Sequence, residues 1–224
     1  MLCVSNCVRR YGQKNGFGPI SFEISKGSIA AFVGRNGAGK TTLLRVLAGI
    51  EEASSGQVLL NGEKLELLPR TEISYLADNP LLLNDLTLKE MCEFDACMRG
   101  VDLNEASYLK AIERFGCEEW VDRKIGHFSL GMKKRAGLTC AFLGEPQLII
   151  LDEPINGLDI HGVILLKHAL LAHKKSGGTI IMSCHVLSFL KEIDAEVYIM
   201  KRGLISSVEQ SSSDNLEEKF MMLS

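Results

Sequence analysis

An α/β fold is predicted: a parallel sheet covered by helices, with an antiparallel sheet beside it and a helical insert late in the first half. Three observations carry this. Short apolar runs at Ser28–Val33, Leu148–Leu151 and Thr179–Met182 alternate with helical stretches, as expected of strands buried on both faces. The glycine-rich stretch Gly34–Thr42 joins the first of these strands to a helix. From Leu81 to Ile125 the composition turns to Leu, Glu, Lys, Met and Ala, interrupted only by Gly100 and Gly116.

The 224 residues, 46% of them hydrophobic, suffice for one domain spanning residues 1–224 with a substantial core. A net charge of −3 and a pI near 6.0 provide no basic field, so no nucleic-acid partner is expected. No apolar run reaches the roughly 20 residues needed to span a bilayer, and Met1–Asn6 lacks a basic leader, so the chain is expected in the cytoplasm. The cysteine count is odd, at seven, and no pair has C-x-x-C spacing; they read as free, packed thiols.

Taken in order, residues 2–33 alternate strand-like runs with turns, and the polar, glycine-rich Gln13–Gly18 reads as a turn. Thr42–Ala48 is helical up to Gly49; Val58–Leu60 and Ile73–Leu76 are short strands, with Asn61-Gly62 turning the chain between them. A helical region at about 81–128 follows, then a helix at Gly131–Leu143, the strand Leu148–Leu151 and a helix at Gly162–His173. The strand Thr179–Met182 and a hairpin at Val197–Ser206 complete the sheet. A short helix over about 214–223 ends the chain, with Asp214 and Glu217 at capping-box spacing.

The stretch Gly34-Arg35-Asn36-Gly37-Ala38-Gly39-Lys40-Thr41-Thr42 fits G-x-x-x-x-G-K-[ST] at every fixed position. Its glycines let the backbone wrap closely around a polyphosphate and point amides inward, with the following helix N-terminus adding positive potential. Gly34, Asn36, Gly37, Ala38, Gly39 and Thr42 are therefore candidate phosphate contacts. Lys40 supplies charge, and the Thr41 hydroxyl is suited to Mg²⁺. Asp152 and Glu153 stand at the tip of the apolar strand Leu148–Leu151, where ligands of such sheets bind; Asp152 suits the same Mg²⁺ and Glu153 a general base for water. Ser129 can cap the helix that Gly131 opens, which makes a second anion-binding helix end.

With these residues in this order, the chain resembles the ATP-binding-cassette ATPases along essentially its whole length. The resemblance implies a phosphate-loop, RecA-like parallel core with an antiparallel β subdomain and the helical insert. It implies Gly34–Thr42 as Walker A, Leu148–Asp152 as Walker B, Glu153 as catalytic carboxylate and Ser129–Arg135 as the signature. Asn156–Asp159 matches the D-loop, which makes Asp159 a nucleotide-site residue, and His185 after Ser183-Cys184 matches the switch histidine. Tyr11 occupies the place of the adenine-stacking aromatic ring. The departures are Asp78, where the family usually has glutamine and where a carboxylate can still approach Mg²⁺, Leu130 for a signature glycine, and Ile155 for a small hydroxyl residue.

The family further implies ATP and Mg²⁺ as cofactors and a second ATPase subunit, identical or paralogous, whose signature covers the phosphates. It implies a separate transmembrane permease, with the chain peripheral on the inner face of the cell membrane. The Ser-Leu-Gly-Met signature and the C-terminal tail are similar to those of bacterial exporter subunits for drugs, peptide antibiotics or polysaccharides. A soluble, non-transport ATPase of the same family is the alternative. No guanine-reading N-K-x-D is present.

Overall fold

The structure, a computed structural model, describes residues 1–12, 14–213 and 216–221. The chain begins with the antiparallel pair β1 (Leu2–Tyr11) and β2 (Lys14–Ile24), followed by β3 (Ile29–Val33), which leads through the glycine loop into α1 (Lys40–Leu47). Next come β4 (Ser55–Leu60), β5 (Glu63–Lys64) and β6 (Ile73–Leu76), then α2 (Leu88–Arg99), α3 (Glu105–Arg114) and α4 (Leu130–Phe142). The last part alternates β7 (Leu148–Leu151), α5 (Ile160–Lys175), β8 (Thr179–Ser183) and α6 (Leu187–Glu192) before the hairpin β9 (Glu196–Lys201) and β10 (Leu204–Gln210) and a final α7 (Leu216–Met221).

Two sheets result. One has four strands in the order β2-β1-β4-β5, all antiparallel. The other has six in the order β10-β9-β3-β8-β7-β6, parallel from β9 to β6 with β10 as an antiparallel edge. β3, β7 and β8 are buried at every position because helices or the second sheet cover both faces, which is why they read as unbroken apolar runs. Side chains of β3 alternate between two cores. Ala30 and Phe32 face α1 and the antiparallel sheet, while Ala31 and Val33 face the helices of the insert and α5. Phe32 stacks on Tyr198 at 5.0 Å between ring centroids, and Phe22 meets both at 5.4 Å, joining the two sheets.

The helices start where their caps put them. Thr87 and Glu90 form a reciprocal capping box at α2, Asn104 caps α3, and Ser129 Oγ accepts from Met132 N at 3.3 Å to cap α4. α4 is buried from Lys134 to Phe142 on all sides, so it shows no amphipathic stripe, and its cap is the local signal that finds it.

The expected parallel core, antiparallel sheet and helices between 81 and 128 are all present. The turn expected at Gln13–Gly18 is not. From Lys14 onward this stretch is β2, paired to β1 through register shifts between Val4 and Cys7, Cys7 and Arg9, and Arg9 and Arg10. Those irregularities break the period-two pattern that marks a strand, and the neighbouring β1 supplies the pairing that the polar sequence does not advertise. α6 was not anticipated either, being only six residues long. α7 begins at Leu216, and the Asp214–Glu217 capping pair lies outside the described side chains. Five of the seven cysteines are buried and all are free thiols. Among the described residues, no helix is long and apolar enough to cross a membrane.

Candidate functional site

The C-terminal ends of β3, β6, β7 and β8 open on a cleft of about 700 Å³. Its walls carry Asn36 to Thr42 from the glycine loop and α1, Asp78 from the end of β6, Asp152, Glu153 and Asn156 beyond β7, and His185 beyond β8; Tyr11 stands at its lip. Smaller hollows of about 440 and 360 Å³ lie on and beside the insert, and neither includes the glycine loop.

The glycine loop is shaped by its neighbours. A Cβ on Gly34 would come within 2.4 Å of Met200 O in β9, and one on Gly39, at φ +99°, within 2.4 Å of Gly16 O. Only glycine lets β9 and β2 press against the loop from both sides. The loop is also tied by Gly203 N donating to Ala38 O at 2.9 Å, and by Ala38 N donating to Arg35 O at 3.0 Å. Lys40 is buried, and its Nζ donates to the carbonyls of Gly34 at 2.8 Å and Arg35 at 3.4 Å, which hold the ammonium at the loop's mouth. Gly34 thus lies beneath the cleft and does not line it.

Across the cleft, Asp152 is 4% exposed. A buried carboxylate needs compensation, and Ser183 at the end of β8 provides it: Ser183 Oγ donates to Asp152 Oδ1 at 2.5 Å. Ser183 Oγ also accepts from Glu153 N–H at 2.8 Å. Glu153 adopts φ +45°, a left-handed conformation that a non-glycine residue holds only against local cost. This backbone turn aims its side chain at His185, whose Nδ1 lies 2.8 Å from Glu153 Oε2. The pair can hold and orient a water for attack on a phosphoryl group.

Asp78 is braced rather than loose. Its Oδ1 accepts from Asn156 Nδ2 at 3.1 Å, its backbone carbonyl accepts from Lys134 Nζ at 2.8 Å, and that ammonium lies 3.6 Å from Oδ1. Lys134 is only 2% exposed. Burial pushes its pKa down, and the charges of Asp78, then Asp152 and Glu153, counteract that pull. Lys134, on α4, thus binds Asp78 within its own chain and feels the charges of Asp152 and Glu153.

Thr41, Asp152 and Asp78 offer oxygen donors only, the chemistry that suits Mg²⁺. Among the described residues no group of three or more His, Cys, Asp or Glu is placed to hold a metal by itself.

Ser129, Gly131 and Asp159 do not line this cleft. Asp159 Oδ1 instead accepts from Gly162 N at 2.7 Å and caps α5. Leu130, 66% exposed, packs over Gly157, where a Cβ would sit 3.1 Å from Leu130 Cγ. Leu130 thus rests on the Asn156–Asp159 turn of its own chain. Sequence reasoning missed Lys14, Gly16 and Asn156 as cleft residues and gave Ser183 no role of its own. A hydroxyl at the tip of an apolar strand was the signal available for Ser183.

The comparisons with known proteins follow the same order of elements. A family profile for ABC transporters matches residues 17–156. The chain is 32% identical to the lantibiotic transport ATP-binding protein SrtF of Streptococcus pyogenes, over 98% of this chain and 96% of that protein. It is 33% identical to the bacitracin transport ATP-binding protein BcrA of Bacillus licheniformis, over 96% of this chain and 71% of that protein. Among solved structures, the ATP-binding subunit of an ABC transporter superposes with a TM-score of 0.87 at 29% identity, covering 99% of this chain and 94% of that one. The relatives and the fold match along nearly the whole chain and the profile over its first two thirds, and the chain belongs to the ABC transporter family as an ATP-binding subunit.

Proposed function

We propose that this subunit hydrolyses ATP and passes the resulting movement to a separate membrane permease that works in the export direction. The observation that carries the hydrolytic reading is the Glu153–His185 contact of 2.8 Å, made in the same cleft as Lys40 and Asp152. The glycine-loop amides and Lys40 would bind the phosphates, Tyr11 would stack on the base, and Glu153 with His185 would orient the attacking water. Thr41, Asp152 and Asp78 are the residues that would hold Mg²⁺, which when bound neutralises charge developing on the phosphates.

Ser129, Gly131 and Asp159 do not line the cleft of their own chain; they would serve a second ATPase subunit, identical or paralogous, closing head to tail over the nucleotide. The permease would dock beside the insert, at a groove lined by Arg45, Ile50, Leu81, Met91 and Arg99, where Leu81 and Ile50 are exposed. That docking would hold the chain on the inner face of the cell membrane. The similarity to lantibiotic and bacitracin transport proteins supports a peptide-antibiotic class of cargo. Phosphate release from ATP by the wild-type chain and by Glu153→Gln tests the chemistry: equal rates would refute it. Copurification of a hydrophobic partner from detergent-solubilised membranes tests the docking.

A further inference from the structure

At the lip of the cleft, the proposed function uses Tyr11 but not the side chains that hold it. Tyr11 is the last residue of β1, and its phenol donates to Glu51 Oε2. The same carboxylate oxygen accepts from Arg9 Nε at 3.1 Å. Arg9 then folds over the tyrosine, with its guanidinium carbon 4.8 Å from the ring centroid and Nη1 donating to Glu52 O at 3.0 Å. The other oxygen of Glu51 lies 3.5 Å from Arg45 Nη1. Arg45 belongs to α1, the helix that begins with Lys40 at the phosphate loop.

Glu51 is 16% exposed, so this junction is partly withdrawn from water. Burial alone would raise its pKa. The hydrogen bond from Tyr11 and the charges of Arg9 and Arg45 outweigh that, and the carboxylate is held below its usual range.

An exposed tyrosine at a strand end would ordinarily turn about χ1 and present either face. Here the hydroxyl is anchored and Arg9 covers one face, so a base can approach only the other. Ordering a ring before its ligand arrives removes an entropic cost from binding. Anchoring through Arg45 also fixes the spacing between the ring and α1, and with it the distance from base to phosphates.

We propose that Glu51 is a positioning residue for the nucleotide base: it pins Tyr11 as a one-faced stacking platform at a set distance from the phosphate loop. This rests on reading the cleft as the ATP site. The distinguishing measurement compares a ligand that has a base with one that does not. Fluorescent mant-ATP and inorganic tripolyphosphate are titrated into the full chain as wild type, Glu51→Ala, Glu51→Gln and Tyr11→Phe.

Glu51→Ala and Tyr11→Phe are each expected to weaken mant-ATP by about three- to tenfold, because the stacking ring is kept and only its ordering is lost. Glu51→Gln, which keeps an acceptor for the phenol, falls between these variants and wild type. Tripolyphosphate affinity stays within about twofold in all of them, because Lys40 and the loop amides are untouched. Combining Glu51→Ala with Tyr11→Phe costs no more than either alone.

Unchanged mant-ATP affinity in Glu51→Ala would overturn the proposal while leaving the ATP site standing. A parallel loss of tripolyphosphate would overturn it too, since Glu51 would then act on the whole subunit. A wild-type chain that binds tripolyphosphate but not mant-ATP would sink the ATP reading and this proposal with it.

Discussion

Removing one hydroxyl, in Ser183→Ala, probes how the carboxylates of Asp152 and Glu153 are held. Ser183 is fully buried, donates to Asp152 Oδ1 at 2.5 Å and accepts from Glu153 N–H at 2.8 Å. Alanine leaves a buried carboxylate oxygen and a backbone donor without this partner, and it frees the strained turn at Glu153 to relax. A hydrogen bond to a charged group contributes about 1.5–3 kcal/mol, and each 1.4 kcal/mol of barrier is tenfold in rate, so kcat is expected to fall by about 10- to 150-fold.

ATP affinity without turnover should change by less than about threefold, because Lys40 and the glycine loop do not touch Ser183. Half-saturation by Mg²⁺ should rise, since Asp152 loses the group that orients it. Ser183→Thr restores the hydroxyl and should recover most of kcat, although its extra methyl in a filled site costs about 1–3 kcal/mol of stability. The assay is steady-state phosphate release over an Mg²⁺ titration, with mant-ATP binding measured in parallel. A kcat within threefold of wild type in Ser183→Ala, or an equal loss of ATP affinity, would refute the reasoning.

Glu153→Gln is expected to lose about 10²-fold or more in turnover and to accumulate as an ATP-bound dimer on size exclusion; a monomer at every concentration would count against the head-to-tail sandwich. Asp78→Gln should change kcat by no more than about tenfold, because Lys134 keeps its bond to the residue 78 carbonyl, and adding Lys134→Gln should recover stability lost with the counter-charge; complete inactivity of Asp78→Gln would contradict this. Stability should fall as pH drops below 6.5. Burial, then the Arg114 charge, lowers the His173 pKa from 6.5, so the unfolded chain takes up that proton first and the folded chain resists it. The contribution is fully present above pH 6.5, and thermal melts at pH 7.5 and 5.5 should differ less in His173→Gln.

Much of the site was legible because its chemistry is written in consecutive residues. A phosphate loop needs its glycines, lysine and threonine at fixed local spacing, so Gly34–Thr42 announces both the strand before it and the helix after it. The greasy strand ending in Asp152-Glu153 and the cap at Ser129 are local in the same way. Leu130 and Asp78 could be recognised as departures, but what each touches could not. Nor could β2 be told from a turn, since its pairing partner rather than its own polar sequence makes it a strand.

The sequence by itself determined the fold class, the order of motifs and the identity of the phosphate-binding and catalytic candidates. Tertiary structure decided what steadies them. Ser183 meets Asp152 across 31 residues, Lys134 meets Asp78 across 56, and Tyr11 meets Glu51 across 40. Local spacing constrains backbone conformation within a turn or two of chain. It carries no information about which buried polar group will find its partner when distant strands and helices close on one core.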